Sequence, residues 1–131
     1  MKYILMMSGT KADFAWYAKW PKQDLQAHAA FMHAFNKELK DSGTLVAAEG
    51  LAFPHEAKIV RAGSDGAPIT DGVFPEAKEF LAGFWIVDVE SAEQAYRIAA
   101  RASAAPGGKD RGNQPIEVRQ IMSGPPDELL R

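Results

Sequence analysis

One stretch of this chain constrains its fold more than any other. Between Pro21 and Gly43, the residues Leu25, His28, Met32, Phe35 and Leu39 recur at steps of three, four, three and four. At 100° per residue they fill one arc of about 80°, and Lys22, Gln26, His33, Lys37 and Lys40 fall outside it. The spacing predicts an amphipathic helix with a narrow apolar stripe. Pro21 suits its first turn, Asp24 complements the positive end of its dipole, and Ser42-Gly43 ends it at a glycine cap. Such a helix is stable only against an apolar surface supplied by the rest of the chain.

The flanking segments supply that surface as strands. Lys2–Met7 is a short apolar run closed by Ser8-Gly9 and reads as a buried first strand. Residues 8–20 read as a polar and aromatic connection carrying Trp16, Tyr17 and Trp20. Thr44–Leu51 and Lys58–Ala62 read as the second and third strands. Gly63-Ser64-Asp65-Gly66 is turn chemistry, and Ala67–Thr70 returns from it as a hairpin arm. Asp71-Gly72-Val73-Phe74-Pro75 is a second turn, followed by a short helical turn over Glu76–Leu81. Phe84–Val89 is a strand by its branched and aromatic content. Ser91 and Gln94 stand in capping-box spacing at the head of an alanine-rich helix that runs to about Ala104. Ala105–Pro115 is a loop, Ile116–Met122 the last strand, and residues 123–131 a proline-containing tail.

The order is β-α-β-β-α-β with an added hairpin arm. This is the α+β, ferredoxin-like pattern, a four-stranded antiparallel sheet with both helices on one face. At 131 residues there is room for one core, so residues 1–122 are expected to form a single domain. Tyr3, Leu5 and Met7 point one way and Ile4 and Met6 the other, while Phe84 and Ile86 oppose Trp85, Val87 and Val89. Both sheet faces are therefore apolar, and two helices cover only one. The expected solution is a homodimer packed sheet face to sheet face; the alternative is that the tail and residues 8–20 fold over the open face.

Composition removes several function classes. Fifteen Lys and Arg against seventeen Asp and Glu give a net charge of −2, without the basic footprint of a nucleic-acid binder. Cysteine is absent, which excludes disulfides, thiolate nucleophiles and cysteine–zinc sites. The apolar run at Tyr3–Met7 is too short for a signal-peptide core, and no stretch approaches a membrane span, so a cytoplasmic protein is expected. No His/carboxylate spacing forms a metal motif, and no cofactor is expected.

Three groups of residues carry candidate chemistry. His28 sits inside the apolar arc, where a polar side chain costs free energy unless it is paired. It reads either as a general acid or base or as a structural histidine bonded at the helix–sheet seam. His33 lies about 140° away around the helix and cannot share a metal with it. His55 follows Pro54 in a loop and reads as solvated. In the second group, Glu49 interrupts an apolar strand, Glu117 and Arg119 share one face of the last strand, and Asp88 lies near a strand end. These are structural ion pairs or, if Glu49, Arg119 and His28 converge, a charged site. In the third group, Asp71-Gly72 favours a tight turn anchored by Phe74, with Lys78 and Glu79 at a pocket mouth or simply solvated. Gly107-Gly108 with Lys109 and Arg111 lacks P-loop spacing and reads as a flexible loop.

Taken together, several segments resemble the YCII-related proteins, in the branch named for an Asp-Gly-Pro-Phe motif. They are Met1-Lys2-Tyr3-Ile4-Leu5, Glu38-Leu39 with Gly43, Glu49-Gly50-Leu51, Asp71-Gly72-Val73-Phe74, Glu76-Ala77-Lys78-Glu79 with Gly83, and Ile116-Glu117-Val118-Arg119. The resemblance spans residues 1–122. It departs at Val73, where the family has proline; this loosens the turn but leaves Asp71, Gly72 and Phe74 in place. It implies a dimeric α+β barrel with a cleft between the helices, the hairpin and the partner subunit. Some relatives act on lactones in aromatic degradation, and others are encoded beside or fused to extracytoplasmic-function sigma factors. A shorter branch carries a His/Asp pair. Its histidine lies about one turn nearer the helix end than His28, and Ala102-Ser103-Ala104-Ala105-Pro106 replaces its Asp-Pro-aromatic motif, so that pair is not carried over.

The expectation is a cleft near the dimer interface that binds a small polar or carboxylated metabolite, with acid–base chemistry of a lactone-isomerase or dehalogenase kind. His28 would move the proton, Asp71 or Glu49 would orient it, and Glu49, Lys78 and Arg119 would contact the ligand. The alternatives are a non-catalytic ligand-binding or regulatory module tied to a sigma factor, and an interaction dimer whose charges are structural.

Overall fold

Two strands form the middle of the sheet, β1 (Lys2–Gly9) and β5 (Phe80–Asp88), and they are the two that the sequence makes apolar on both faces. The remaining elements of this computed structural model are α1 (Lys11–Ala18), α2 (Lys22–Asp41), β2 (Leu45–Gly50), β3 (Lys58–Ala62), β4 (Pro68–Gly72), α3 (Ala92–Ser103) and β6 (Ile116–Gln120). The structure describes residues 1–72, 79–107 and 113–131. The four-stranded sheet has the order β2-β5-β1-β6 with every pair antiparallel, which is the ferredoxin-like arrangement; β3 and β4 form a separate two-stranded arm.

The pleat decides which residues enter the core. Tyr3 and Leu5 of β1 stand opposite Val87 and Trp85 of β5, and all four are buried. Phe35 and Leu39 of α2 and Ala95, Ile98, Ala99 and Ala102 of α3 close over them. The alanines of α3 let that helix approach the sheet closely. Leu5 and Val87 are 0 % exposed, and each such side chain contributes roughly 1.5–3 kcal/mol of burial free energy. Phe35 meets the Trp85 ring edge-on at 5.9 Å between centroids. Arg101 of α3 bonds Glu38 of α2 and lies over the Phe35 ring, tying the two helices together. Gly43, at φ 76°, ends α2 in the left-handed conformation that its cap requires, and Thr44 N–H returns to Leu39 O at 2.9 Å.

Three local expectations are corrected. Residues 8–20 are not merely a connection, because Lys11–Ala18 is helical. Thr10 Oγ1 accepts from Asp13 N–H at 3.1 Å and the Asp13 carboxylate accepts from Thr10 N–H at 2.9 Å, a capping box that starts α1. No residue of α1 is buried, so it has no apolar stripe to betray it. The strand expected from Phe84 begins at Phe80, because Phe80 and Leu81 pair with Gly9 and Ser8; these two residues therefore do not belong to a helical turn. Asp71 and Gly72 are in β4 rather than in a turn, since the ladder with β3 runs through Ile59–Asp71 to Lys58–Gly72. The rest of that expected turn, and of the helical turn at Glu76–Leu81, falls on residues 73–78, outside the described residues.

The second sheet face carries Ile4, Met6, Phe84 and Ile86, all half-buried. Ile4 stands opposite Ile86 and Arg119, and Met6 opposite Phe84 and Glu117. No described helix is long and apolar enough to cross a membrane.

Candidate functional site

A cavity of about 370 Å³ opens at the end of the sheet, between α1, α2 and the strand ends. Its floor is the last part of β1, the first part of β5 and the end of β2. Two local irregularities shape that floor. The β1–β5 register shifts between Met7 and Ser8, a bulge of the kind that re-aims side chains beside sites. At Gly83, a Cβ would come 2.9 Å from the Glu49 carbonyl oxygen, so only glycine permits β2 and β5 this approach.

The outer wall is aromatic. Phe14 and Tyr17 of α1 meet Phe53 edge-on at 5.8 and 6.1 Å, and Tyr17 lies 4.9 Å from Trp20. Trp20 in turn meets the His28 ring edge-on at 5.5 Å. The indole nitrogen of Trp20 is buried and has no hydrogen-bond partner among the described residues. The inner wall is one stripe of α2, formed by His28, Met32 and Asn36 at four-residue steps, together with Trp85.

His28 is oriented by the backbone. Its Nδ1 donates to Pro106 O at 2.8 Å, from the segment after α3. A carbonyl only accepts, so the proton sits on Nδ1 and the Nε2 lone pair of the neutral ring is left as an acceptor or base. Asn36 is oriented by the core, since Trp85 Nε1 donates to Asn36 Oδ1 at 2.7 Å. Gln114 Nε2 donates to Ser8 O at 2.8 Å and closes the cavity from the loop before β6. Asp13 also lines it. The chemistry available is a set of aromatic walls, one imidazole oriented by the backbone, the amides of Asn36 and Gln114, and the carboxylate residues Asp13 and Glu49.

Of the other candidates from the sequence, one is at the cavity and the rest are not among its described lining residues. Glu49 lines the cavity, and so does Phe84, its partner across the β2–β5 ladder. Arg119 stands opposite Ile4 on the second sheet face and is exposed. Asp71 is on the hairpin arm, exposed, with its carboxylate 3.5 Å from the Arg61 guanidinium. Lys78 lies outside the described residues. The structure thus brings His28 and Glu49 into the lining of one cavity, and Asp71 and Arg119 are not among its described lining residues. The sequence reasoning missed Asn36, Asp13 and Trp20. Two signals were there: Asn36 continues the His28–Met32 stripe by one more turn, and Thr10 with Asp13 has cap spacing. Among the described residues no cluster of three His, Asp or Glu could hold a metal ion.

No curated protein matches this chain. The family model of the YCII-related domain matches residues 1–111, most of the chain, and the protein belongs to the YCII-related family.

Proposed function

We propose that this protein binds a small molecule in the cavity between α1, α2 and the sheet end, and that His28 transfers a proton to or from it. The observation that carries the reading is the His28 ring, held at Nδ1 by Pro106 O in the wall of a cavity of about 370 Å³. That volume equals roughly a dozen water molecules at liquid density, enough for one substituted ring. A backbone carbonyl fixes the tautomer and leaves Nε2 to act on the ligand. Asp71 and Arg119 are not needed for this role.

A thermal-shift screen over lactones, small carboxylates and small aromatic carbonyl compounds tests it, with His28→Gln alongside. A ligand at a hundred times its dissociation constant stabilises by about 2.7 kcal/mol. For a domain of this length that raises the melting point by roughly 5–15 °C. A hit that the native protein turns over and that His28→Gln only binds supports the reading. A hit bound by both and turned over by neither overturns the catalytic half and leaves a ligand-binding or regulatory module. No shift across the panel overturns the reading.

The second sheet face supports a further element of this proposal, a homodimer in which a second copy covers Ile4, Met6, Phe84 and Ile86. Half-buried apolar side chains on both inner strands are what such a pairing would exclude from water. The Asp71-Gly72-Val73-Phe74 segment supports placing the chain in the Asp-Gly-Pro-Phe branch of its family.

A further inference from the structure

One polar atom in the cavity wall narrows what the cavity recognises, and this inference rests on the ligand-binding reading above. The indole nitrogen of Trp20 is buried, and no described residue accepts from its N–H. An indole N–H can only donate. Buried polar groups in folded proteins are almost always paired, so an orphan donor on a residue of a cavity wall calls for an acceptor from the cavity itself.

Local hydrogen bonds position this side chain. Trp20 stands between α1 and α2, where its backbone N–H returns to Tyr17 O at 3.1 Å and Lys19 N–H to Trp16 O at 2.9 Å. On the other side, Pro21 O accepts from Asp24 and Leu25 N–H at 2.9 and 3.1 Å, so the indole hangs at the start of α2. Its ring is tilted against Tyr17 at 4.9 Å and meets the His28 ring edge-on at 5.5 Å, and both neighbours also line the cavity. An oxygen that accepts from Trp20 is therefore beside the imidazole that the proposed function uses.

The energetics favour such an oxygen. A donor in water must give up a water molecule before it bonds a ligand, which cuts the net gain of an ordinary hydrogen bond. The Trp20 N–H is already out of water, so the incoming acceptor bears only its own desolvation. Because the nitrogen is covered, an acceptor reaches it when a neighbouring ring moves aside. Tyr17 is placed to do so, since it belongs to α1, which buries no residue. His28 is held, since its Nδ1 bonds Pro106 O.

We propose that Trp20 is a recognition donor of this cavity, and that the ligand carries a carbonyl or carboxylate oxygen that accepts from Trp20 Nε1–H as Tyr17 gives way. Trp20 is a binding residue, and His28 keeps the proton-transfer role.

Three probes of one outline separate the terms: para-methylacetophenone, para-toluate and para-ethyltoluene. The ketone and the toluate carry the acceptor, and the hydrocarbon brings the same ring without it. The three tryptophans give three indole signals in a proton–nitrogen NMR spectrum, assigned in the native protein through each ring's contacts with its own backbone, so no variant has to fold. The expected result is that the Trp20 indole proton moves downfield with the ketone or the toluate relative to its position with the hydrocarbon. The Trp85 indole proton, already bonded to Asn36, stays in place. Isothermal titration of Trp20→Phe gives a second readout: the affinity of the oxygen probe relative to the hydrocarbon falls about tenfold, the worth of one hydrogen bond. A shift with only one of the two oxygen probes supports the proposal and selects the neutral or the anionic class. Equal Trp20 positions with all three bound probes, or an unchanged affinity ratio in Trp20→Phe, overturn the donor role while leaving the cavity as a binding site. Binding of the hydrocarbon alone overturns it as well. If none of the three binds and the screen above yields another hit, that hit's effect on the Trp20 signal decides in the same way. If the screen is also silent, the ligand-binding reading falls and this one with it.

Discussion

Two neighbouring residues on opposite faces of β1 test both the sheet orientation and the proposed second copy. Leu5 is fully buried between Trp85 and Val118 in the strands beside it, beneath α2 and α3. Its replacement by alanine removes three buried carbons and leaves a cavity that a packed core closes only in part. The expected cost is about 3 kcal/mol, within the 2–5 kcal/mol range of such truncations. For a chain between the size classes of roughly 100 and 150 residues, that lowers the melting point by about 10–15 °C. Ile4 is only half-buried in the single chain, beside Ile86 and Arg119. Its truncation in an uncovered face removes roughly half of an isoleucine's burial free energy, about 1 kcal/mol. If a second copy covers that face, Ile4→Ala approaches the cost of Leu5→Ala, and the unfolding midpoint of the native protein rises with protein concentration.

Thermal unfolding of the two variants and the native protein, each at low and at hundredfold higher concentration, gives the comparison, with sedimentation equilibrium for the assembly state. The expected result is a large loss for both variants and a concentration-dependent native midpoint, with Ile4→Ala shifted toward monomer. A cost near 1 kcal/mol for Ile4→Ala, with a concentration-independent midpoint and a monomeric native protein, refutes the second copy. A cost below about 1 kcal/mol for Leu5→Ala refutes the assignment of the helix-covered face.

Three other outcomes follow from particular contacts. Gly83→Ala drives a Cβ to 2.9 Å from the Glu49 carbonyl oxygen and should cost about 1–3 kcal/mol in a denaturant titration, with weakened ligand binding because the cavity floor shifts. Thr10→Ala removes the side chain that caps α1 and should loosen that helix by about 1 kcal/mol. Because α1 contributes no buried residue, the loss should be visible in amide hydrogen exchange of Lys11–Ala18 and small in the global melting point. Asp71→Asn breaks an exposed ion pair with Arg61 and should change stability by less than about 0.5 kcal/mol, with ligand affinity and turnover unaltered; a large loss of activity would return Asp71 to the site.

How much was legible in the sequence depends on whether the signal was periodic. The α2 stripe, the alternation of β1 and the Ser91 cap each repeat a local rule, and each corresponds to an element within a residue or two. α1 was missed because its eight residues, including Phe14, Trp16 and Tyr17, carry no one-sided apolar pattern, and its only local signal is a cap with aspartate in the third position. Asp71-Gly72 was read by its dipeptide chemistry as a turn, and five ladder pairs from the Gly63–Gly66 turn override that preference. Asn36 lies about 20° outside the apolar arc, so the stripe of Leu25, His28, Met32, Phe35 and Leu39 does not include it. What faces it is the Trp85 indole, 49 residues away in sequence. The Pro106 carbonyl that orients His28 is 78 residues away. Neither contact has a local pattern, so His28 could be singled out as costly to bury but not given its partner.

Trp85 joins the core to the cavity. One side of its ring packs against Phe35 in the core, and its N–H fixes the amide of Asn36 in the cavity wall. The inner wall is therefore tied directly to the core. The outer wall is different in kind, because α1 buries no residue and meets Phe53 and Trp20 through ring contacts. If the cavity binds a ligand as proposed, an α1 without buried residues would adjust to ligands of different outline while α2 sets the hydrogen-bond geometry. On the proposed ligand-binding role, substitutions at Phe14, Tyr17 or Phe53 are expected to change the range of ligand shapes at little cost in global stability, whereas substitution of Trp85 is expected to change stability and polar recognition at once. In a family whose members share the sheet and α2, divergence of ligand would then be sought first in the segment between β1 and α2 and around Phe53, where the sequence is free of core duties.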